Sequence, residues 1–553
     1  MKGNFFLFIK KIILPSSRIK RFFVIAIIAA FLFVTLGSSF IDLFDGGLPV
    51  ENTAEVLVKQ GVHYLQAGNN AEALKSFSTA IEMDDTMAAA YAQRGRLMYI
   101  MGEYDAALVD LNKAVQLDSK DADSYLYRAK THLAMNDIAL GMEDLGYAID
   151  LNPELTEAYL IRGKLYKKMG VQNQALLDFT MVLDQQPQNI EALQNRADIH
   201  ASRQNWELAL KDYKALSELD PMQGAIYNSI GFAYHNLKDY QQAIQNYNKA
   251  QDLGFKEPAV YFNRANAYLE YGKYEDAIAD FDRVIGLVGD FVEAYNNRGN
   301  AYLSLQDYDA AIKDFTKAIA IDPDYLTAYF NRALAHLEKG DYEQAVKDST
   351  YVIERDPDMV NCYQQRAIAY FSLKEYQKAI DDWKVYLDHY PEDIETNYRV
   401  GLAYFYLEKY RSAIDFFNKT TDLDDQYGPA YHQRGNARLM LKEYSAAVKD
   451  FTKAIELKAS LDISYYNRGV AYYHLKKMDL AKADFKKVID ITKDKKLAGD
   501  AKKVLDGMTP KNKATDTNNG ATIKGNNVII INNNSTTTNS QSSNANDKGT
   551  TGE

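Results

Sequence analysis

Amide side chains recur at a fixed position along the central part of the chain. Eight of them are separated by 34 residues or a multiple of 34: Gln93, Asn195, Asn263, Asn297, Asn331, Gln365, Gln433 and Asn467. Asn266 and Asn300 follow two of these amides by three residues, almost one helical turn. A primary amide both donates and accepts hydrogen bonds, so such a row can bind the backbone of a peptide whatever its side chains. The alternative is that the amides are simply solvated polar residues.

An arginine and an aspartate recur with the same interval. The ten pairs are Arg94 and Asp110, Arg128 and Asp144, Arg162 and Asp178, Arg196 and Asp212, Arg264 and Asp280, Arg298 and Asp314, Arg332 and Asp348, Arg366 and Asp382, Arg434 and Asp450, and Arg468 and Asp484. Three copies lack both residues and have Gln60 with Ser76, Ile230 with Asn246, and Val400 with Phe416. Because the two residues disappear together, we predict that each pair is in contact.

The sequence contains no recognisable catalytic or metal-binding motif. It has no phosphate-binding loop, no H-E-x-x-H and no G-x-S-x-G. His132, His200 and His336 stand where other copies of the pattern have tyrosine, which indicates packing. The single cysteine, Cys362, excludes disulfides and cysteine-based zinc sites within the chain and is interpreted as a small helical residue. We therefore expect no enzyme activity, no cofactor, no metal and no small-molecule substrate.

These residues are positioned by one unit of 34 residues that occurs thirteen times. Its eighth residue is always Gly or Ala, from Gly61 to Gly469, and so is its twentieth, from Ala73 to Ala481. Apolar residues recur within the unit at spacings of three and four, which predicts helices. Two small residues at fixed positions indicate where two helices cross closely.

The unit resembles the tetratricopeptide repeat. Residues 292–325 carry the matching positions, which are Tyr295, Gly299, Tyr302, Ala311, Phe315, Ala318 and Pro323. The resemblance covers residues 54–495 and implies an all-α solenoid, or superhelix, of about thirteen helix-turn-helix repeats, with the first helices lining a concave face. Residues 496–507 are predicted to form a capping helix. The amide row is similar to the asparagine ladder in the repeat arm of the transferase that attaches N-acetylglucosamine to serine and threonine.

The amino-terminal segment has the pattern of a membrane signal. Residues 22–41 carry no charge, and six lysines and arginines precede them. We expect a basic cytoplasmic segment over 1–21, a transmembrane signal anchor over 22–44 and a linker over 45–53. This predicts a single-pass membrane protein with its repeats on the extracytoplasmic side. A cleaved signal peptide and a secreted form are the alternative.

The carboxyl-terminal residues 508–553 are dominated by Asn, Ser, Thr and Gly, which predicts a disordered tail. The whole chain has a net charge of −11, which argues against nucleic-acid partners.

The function that these patterns predict is a non-enzymatic, membrane-anchored scaffold that binds peptide segments or partner proteins in its concave groove. Two alternatives remain open at this stage: an accessory arm of a membrane enzyme complex, and a targeting or import receptor with cytosolic repeats.

Overall fold

The computed structural model describes residues 53–508, which form 27 helices. They divide into two compact units between Ile226 and Tyr227, and each unit is described by itself. The first unit contains five hairpins: α1 Ala54–Gln66, α2 Asn70–Met83, α3 Ala88–Met101, α4 Tyr104–Leu117, α5 Ala122–Ala134, α6 Ile138–Leu151, α7 Thr156–Lys168, α8 Gln172–Gln185, α9 Ile190–Ser202 and α10 Trp206–Leu219.

The division falls within α11, Gly224–Asn236, the first helix of repeat six. The remaining helices lie in the second unit: α12 Tyr240–Asp252, α13 Pro258–Glu270, α14 Tyr274–Val288, α15 Val292–Ser304, α16 Tyr308–Ile321, α17 Leu326–Lys339, α18 Tyr342–Arg355, α19 Asn361–Ser372, α20 Tyr376–His389, α21 Ile394–Tyr406, α22 Tyr410–Leu423, α23 Gly428–Met440, α24 Tyr444–Glu456, α25 Leu461–His474, α26 Met478–Ile491 and α27 Lys495–Gly507. The predicted all-α solenoid of thirteen helical hairpins is confirmed.

The small eighth residue allows the two helices of a hairpin to approach closely. At Gly299 an added Cβ would lie 2.6 Å from the ring of Phe315, which is fully buried on the second helix. A contact of that length requires a shift of the Phe315 ring or of one helix, and a large side chain here would separate the pair.

The turn between the two helices is the same in all thirteen repeats. Its central residue has a positive φ in every case, between 57° and 92°. Glycine, which adopts this conformation without steric cost, occupies five of these positions: Gly68, Gly102, Gly170, Gly272 and Gly340. The other eight are Asn136, Gln204, Lys238, Gln306, Lys374, Glu408, Lys442 and Lys476. Eight repeats therefore hold a residue with a side chain in a strained backbone conformation.

The predicted arginine–aspartate contacts are confirmed in all ten repeats. In nine of them Nε and Nη2 of the arginine donate to the two oxygens of one carboxylate; at Arg298 and Asp314 both distances are 2.7 Å. In repeat twelve Arg434 donates to a single oxygen of Asp450, because Arg438 donates to the other at 2.6 Å. The aspartates are buried, so the ion pair fixes the first helix against the second from within.

The third arginine nitrogen extends this contact to the preceding repeat. Nη1 of Arg332 donates to Thr316 at 3.1 Å, and Nη1 of Arg366 donates to Thr350 at 3.0 Å. The acceptor lies sixteen residues before the arginine, on the second helix of the repeat before. The same bond forms in nine of the ten repeats. In the tenth, the position is Gly146, which has no side chain.

Repeat eleven, which lacks the ion pair, has apolar side chains at the two positions. In repeat eleven Val400 is fully buried, and Phe416 packs beside the same core with its ring 5.6 Å from that of Tyr404. Apolar contact replaces the charges, which explains why both residues change together.

The membrane prediction must be corrected. No helix within residues 53–508 is long and apolar enough to cross a membrane. The helices are 12 to 15 residues long, whereas a span needs about twenty apolar residues. For the part of the chain that the structure describes, the prediction of a single-pass membrane protein with extracytoplasmic repeats is therefore wrong. The expected segments 1–21, 22–44 and most of 45–53, together with the tail after Met508, lie outside the described residues.

Candidate functional site

The candidate site is a row of side chains on the first helices of repeats seven to eleven, in the second unit. Neighbouring first helices contact each other directly, as α13 does with α15 and α15 with α17. A side chain at a given repeat position is therefore followed by its counterpart on the adjoining helix. This arrangement makes a continuous surface out of residues that are 34 positions apart in the chain.

Three of the predicted amides are linked by hydrogen bonds into one network across repeats seven to nine. Nδ2 of Asn297 donates to Oδ1 of Asn266 at 2.9 Å, which joins α15 to α13. Nδ2 of Asn331 donates to Oδ1 of Asn296 at 3.0 Å, which joins α17 to α15. Asn296 connects the two bonds, since its own Nδ2 donates to Asn297 at 3.0 Å. The amides thus stabilise the contact between repeats.

Asn296 is a member of this network that the sequence analysis missed. It is only 3% exposed and depends on its two amide neighbours for its hydrogen bonds. Its position directly before Asn297 was the available signal, because two adjacent amides on one helix can reach both neighbouring helices.

Asn263 and Asn300 complete the row on α13 and α15. Both are partly exposed, and the side chain of neither is hydrogen-bonded to any residue between 53 and 508. Within the row, Asn263 and Asn300 are consequently the amides that can bind another chain without losing an internal partner.

The predicted amides of repeats ten, twelve and thirteen are buried. Asn467 is fully buried and donates to Asn436 at 2.8 Å, and Asn436 in turn donates to Gln433 at 3.0 Å. Gln365 is 7% exposed, and its Oε1 has no hydrogen-bond partner among the described residues. Burial removes these three predicted amides from any surface that a peptide could contact directly.

Asn195 lies in the first unit, apart from the row. Its Oδ1 accepts a hydrogen bond from Nζ of Lys167 at 3.0 Å, and its Nδ2 donates to the carbonyl of Glu191 at 2.8 Å. Lys167 also forms an ion pair with Asp198 at 2.9 Å. Asn195 is therefore part of a local ionic network.

The row becomes apolar towards repeat eleven. Asn266 and Asn300 are the ninth residues of their repeats, and the next three repeats have Leu334, Ile368 and Leu402 at that position. All three are half-buried, so each leaves part of its side chain on the surface. The face thus offers hydrogen bonding at one end and apolar contact at the other, a combination that suits an extended peptide.

The described residues offer little for covalent or acid–base chemistry. Burial raises the pKa of the Cys362 thiol to about 12, which disfavours the reactive thiolate. Burial lowers the pKa of His200, His235 and His336, so they are neutral at pH 7. No group of three or more metal-ligating side chains occurs between residues 53 and 508.

Family models match the chain at eight stretches. Models described as tetratricopeptide repeat match residues 292–325, 315–347, 224–253, 394–427, 428–461 and 463–495. A model described as TPR repeat matches residues 95–136 and 265–306. None of the curated proteins compared with the chain matches it.

Solved structures with similar helical repeats include the C-terminal part of a TPR repeat-containing protein from Cytophaga hutchinsonii. It is 20% identical, with a TM-score of 0.39 over 43% of this chain and 98% of that one. A tetratricopeptide repeat protein from Parabacteroides merdae is 21% identical, with a TM-score of 0.32 over 51% of this chain and 98% of that one. The hetero-tetramer Cut9-Hcn1 of the APC/C gives 14% identity and a TM-score of 0.32 over 81% of this chain and 96% of that one. The family matches at eight stretches, together with the repeated hairpins, support a tetratricopeptide repeat protein.

Proposed function

We propose that the chain is a non-enzymatic scaffold that binds an extended peptide, or a flexible segment of a partner protein, along the first helices of repeats seven to eleven. The observation that carries the proposal is the row of partly exposed amides continued by half-buried aliphatic residues on consecutive helices. We call this surface the amide groove and define it by Asn263, Asn300, Leu334, Ile368 and Leu402.

The amides supply binding that does not depend on the side chains of the peptide. Each free amide can accept from a backbone N–H and donate to a backbone carbonyl. Asn263 and Asn300 are available for this, because their side chains make no hydrogen bond with residues 53–508. They would hold the peptide backbone at the beginning of the groove.

The aliphatic residues supply selectivity. Leu334, Ile368 and Leu402 lie on three successive first helices, and Ile368 and Leu402 pack against one core cluster. Burial of an apolar side chain against them is favourable by about 25 cal/mol per Å² of apolar surface removed from water. The peptide should therefore carry apolar residues in the part that follows its backbone contacts with the amides.

The test uses the full chain and a displayed library of random twelve-residue peptides. Selected peptides are labelled, and their affinity is measured by fluorescence anisotropy. Changing Asn263→Ala and Asn300→Ala together should weaken binding about tenfold, equivalent to about 1.4 kcal/mol for two lost amide contacts. Ile368→Glu should weaken it further, because a charge would face the apolar part of the peptide.

The hydrogen-bond network among the amides determines which of them can be changed to test binding. Replacing Asn297 or Asn331 would also deprive the buried Asn296 of a partner and so confuse binding with stability. Lys347→Ala, on the exposed side of α18, is the matched control and should leave affinity unchanged. Equal binding by the wild type and the groove variants, with melting temperatures preserved, would exclude the amide groove as the site.

A further inference from the structure

The carboxyl-terminal end of the second unit is basic, although the chain before it is acidic. Residues 476–507 contain ten lysines and six aspartates, whereas residues 46–475 have a net charge of −20. The lysines lie on the last hairpin and on α27, the helix that covers it. This reversal of charge within one solenoid sets the end apart from the other repeats.

Five of these lysines lie close together along the chain reversal between α26 and α27. Lys486 and Lys487 are exposed in the second half of α26, and Lys493, Lys495 and Lys496 are exposed where the chain turns into α27. The opposite sides of both helices are occupied by core residues such as Phe485, Val488 and Leu497. The five lysines are consequently on the solvent side of the two helices, within eleven residues of sequence; we call them the terminal lysine surface.

The lysines of the terminal lysine surface outnumber the acidic residues among them, five to two. None of the five lysines forms an ion pair within residues 53–508. Some exposed lysines of the second unit do form ion pairs, as Lys317 does with Asp290 at 3.1 Å and Lys339 with Asp309 at 2.9 Å.

Two aspartates lie in the same stretch. Asp490 is exposed near the end of α26 and forms no ion pair within residues 53–508, and the carboxylate of Asp494 is engaged by the backbone. Asp494 caps α27 and accepts from the backbone N–H of Lys496 at 2.8 Å and of Leu497 at 3.3 Å.

The position of two lysines is also electrostatically unfavourable. Lys495 and Lys496 are in the first turn of α27, where the helix dipole favours negative charge, and the Asp494 carboxylate at the N-cap is the acidic group at this helix end. A negatively charged partner would offset the mutual repulsion of the lysines.

We propose that the terminal lysine surface binds an acidic segment of a partner protein. A short stretch of Asp and Glu matches five lysines within two helical segments. A nucleic acid fits less well, because α26 and α27 contain one aromatic residue, Phe485, which is fully buried and cannot stack on bases. A longer polyanion would also extend over repeats with a net charge of −20.

The test measures binding of a labelled twelve-residue glutamate peptide to the full chain by fluorescence anisotropy at low and physiological salt. The peptide should bind, and its affinity should fall as salt rises because the contacts are ionic. The triple change Lys486→Glu, Lys487→Glu and Lys496→Glu should weaken binding at least tenfold. A single-stranded oligonucleotide of equal length and vesicles of anionic phospholipid are measured in parallel.

The matched control reverses the same number of charges elsewhere. Lys313, Lys347 and Lys449 are exposed on the second helices of repeats eight, nine and twelve, and their change to Glu should leave peptide affinity unchanged. Circular dichroism melts check that both triple variants fold. Equal loss in the two variants would mean that overall charge, and not this surface, binds the peptide, and the proposal would be overturned. Tighter binding of the oligonucleotide or of the vesicles by the same three lysines would overturn it as well.

Discussion

The ion pair of repeat eight can be replaced by the apolar pair that repeat eleven uses. Val400 and Phe416 occupy in repeat eleven the positions that Arg298 and Asp314 occupy in repeat eight. We expect the double change Arg298→Val and Asp314→Phe to be tolerated, although either change alone is destabilising. Repeat eight also has Tyr302 at the position of Tyr404, the ring that Phe416 approaches in repeat eleven.

The magnitudes of the single changes follow from burial and from the remaining partners. The side chain of Asp314 is 6% exposed, and Arg298→Val removes both of its charged donors, so this change should cost about 3 kcal/mol. Asp314→Phe should cost less, about 1–2 kcal/mol, because Arg298 is 16% exposed and retains its ion pair with Asp282. The double change removes both buried charges and should cost less than about 2 kcal/mol. The coupling energy is then about 2–3 kcal/mol.

The assay is urea denaturation of the full chain, followed by hydrogen exchange of the peptides that cover α15 and α16. Hydrogen exchange is needed in addition to urea denaturation because neighbouring repeats contribute separately to stability. A change in one hairpin can therefore unfold that hairpin alone. The reasoning would be refuted if the loss of unfolding free energy in the double variant equalled the sum of the losses in the two single variants. They would mean that the two side chains do not depend on each other.

Two further predictions concern the turns and the core. Gln306→Gly should raise the free energy of unfolding by up to about 1 kcal/mol, because residue 306 has a φ of 61°, which glycine adopts without strain. Gly340→Ala at the equivalent turn, where φ is 92°, should lower the free energy of unfolding by a similar amount. Equal and opposite changes in melting temperature would check this, and a loss of stability in Gln306→Gly would contradict it. His432 is buried and bonded to Ser464 at 2.7 Å, and burial lowers its pKa to about 4 from an ordinary value of 6.5. Since the folded state holds it neutral, stability should be intact above pH 6.5 and decrease by up to about 3 kcal/mol as the pH falls towards 4. His432→Gln should lack this part of the acid sensitivity in denaturation curves at pH 7 and pH 4.5, and an unchanged pH profile would count against it.

Much of the fold could be predicted because each repeat forms the same pair of helices with residues of the same types at the same positions. Thirteen copies without an insertion act as an internal alignment, so the helix pair, the small residues and the ion pairs were visible from spacing alone. The hydrogen bond from each arginine to the preceding repeat was within reach of the same comparison. The residues that accept this hydrogen bond all occupy one repeat position: Ser78, Asn112, Thr180, Asn248, Asp282, Thr316, Thr350, Asn418 and Thr452.

The site was less predictable because spacing does not give burial. Asn297 and Asn467 occupy equivalent positions, yet Asn297 is partly exposed and Asn467 is fully buried. The difference depends on the neighbouring side chains, which vary between repeats. Asn397 illustrates the same limit: it replaces an aromatic residue in the pattern because its amide donates to the carbonyls of Pro391 and Asp393, at 3.1 and 2.9 Å, and so holds the preceding turn.

If the amide groove binds peptides as proposed, the hydrogen-bond network also determines how it discriminates between them. The amides of Asn297 and Asn331 are bonded to other amides, so a peptide backbone that displaced them would exchange one neutral hydrogen bond for another with little net gain. Binding energy from hydrogen bonds is therefore restricted to Asn263 and Asn300, and two such bonds contribute about 1–3 kcal/mol. A useful affinity of about 1 μM requires about 8 kcal/mol, and the larger part of it must come from apolar contact. Leu334, Ile368 and Leu402 are where that contact is available, so the aliphatic end of the groove should determine which partner binds, and the amide end should determine its orientation.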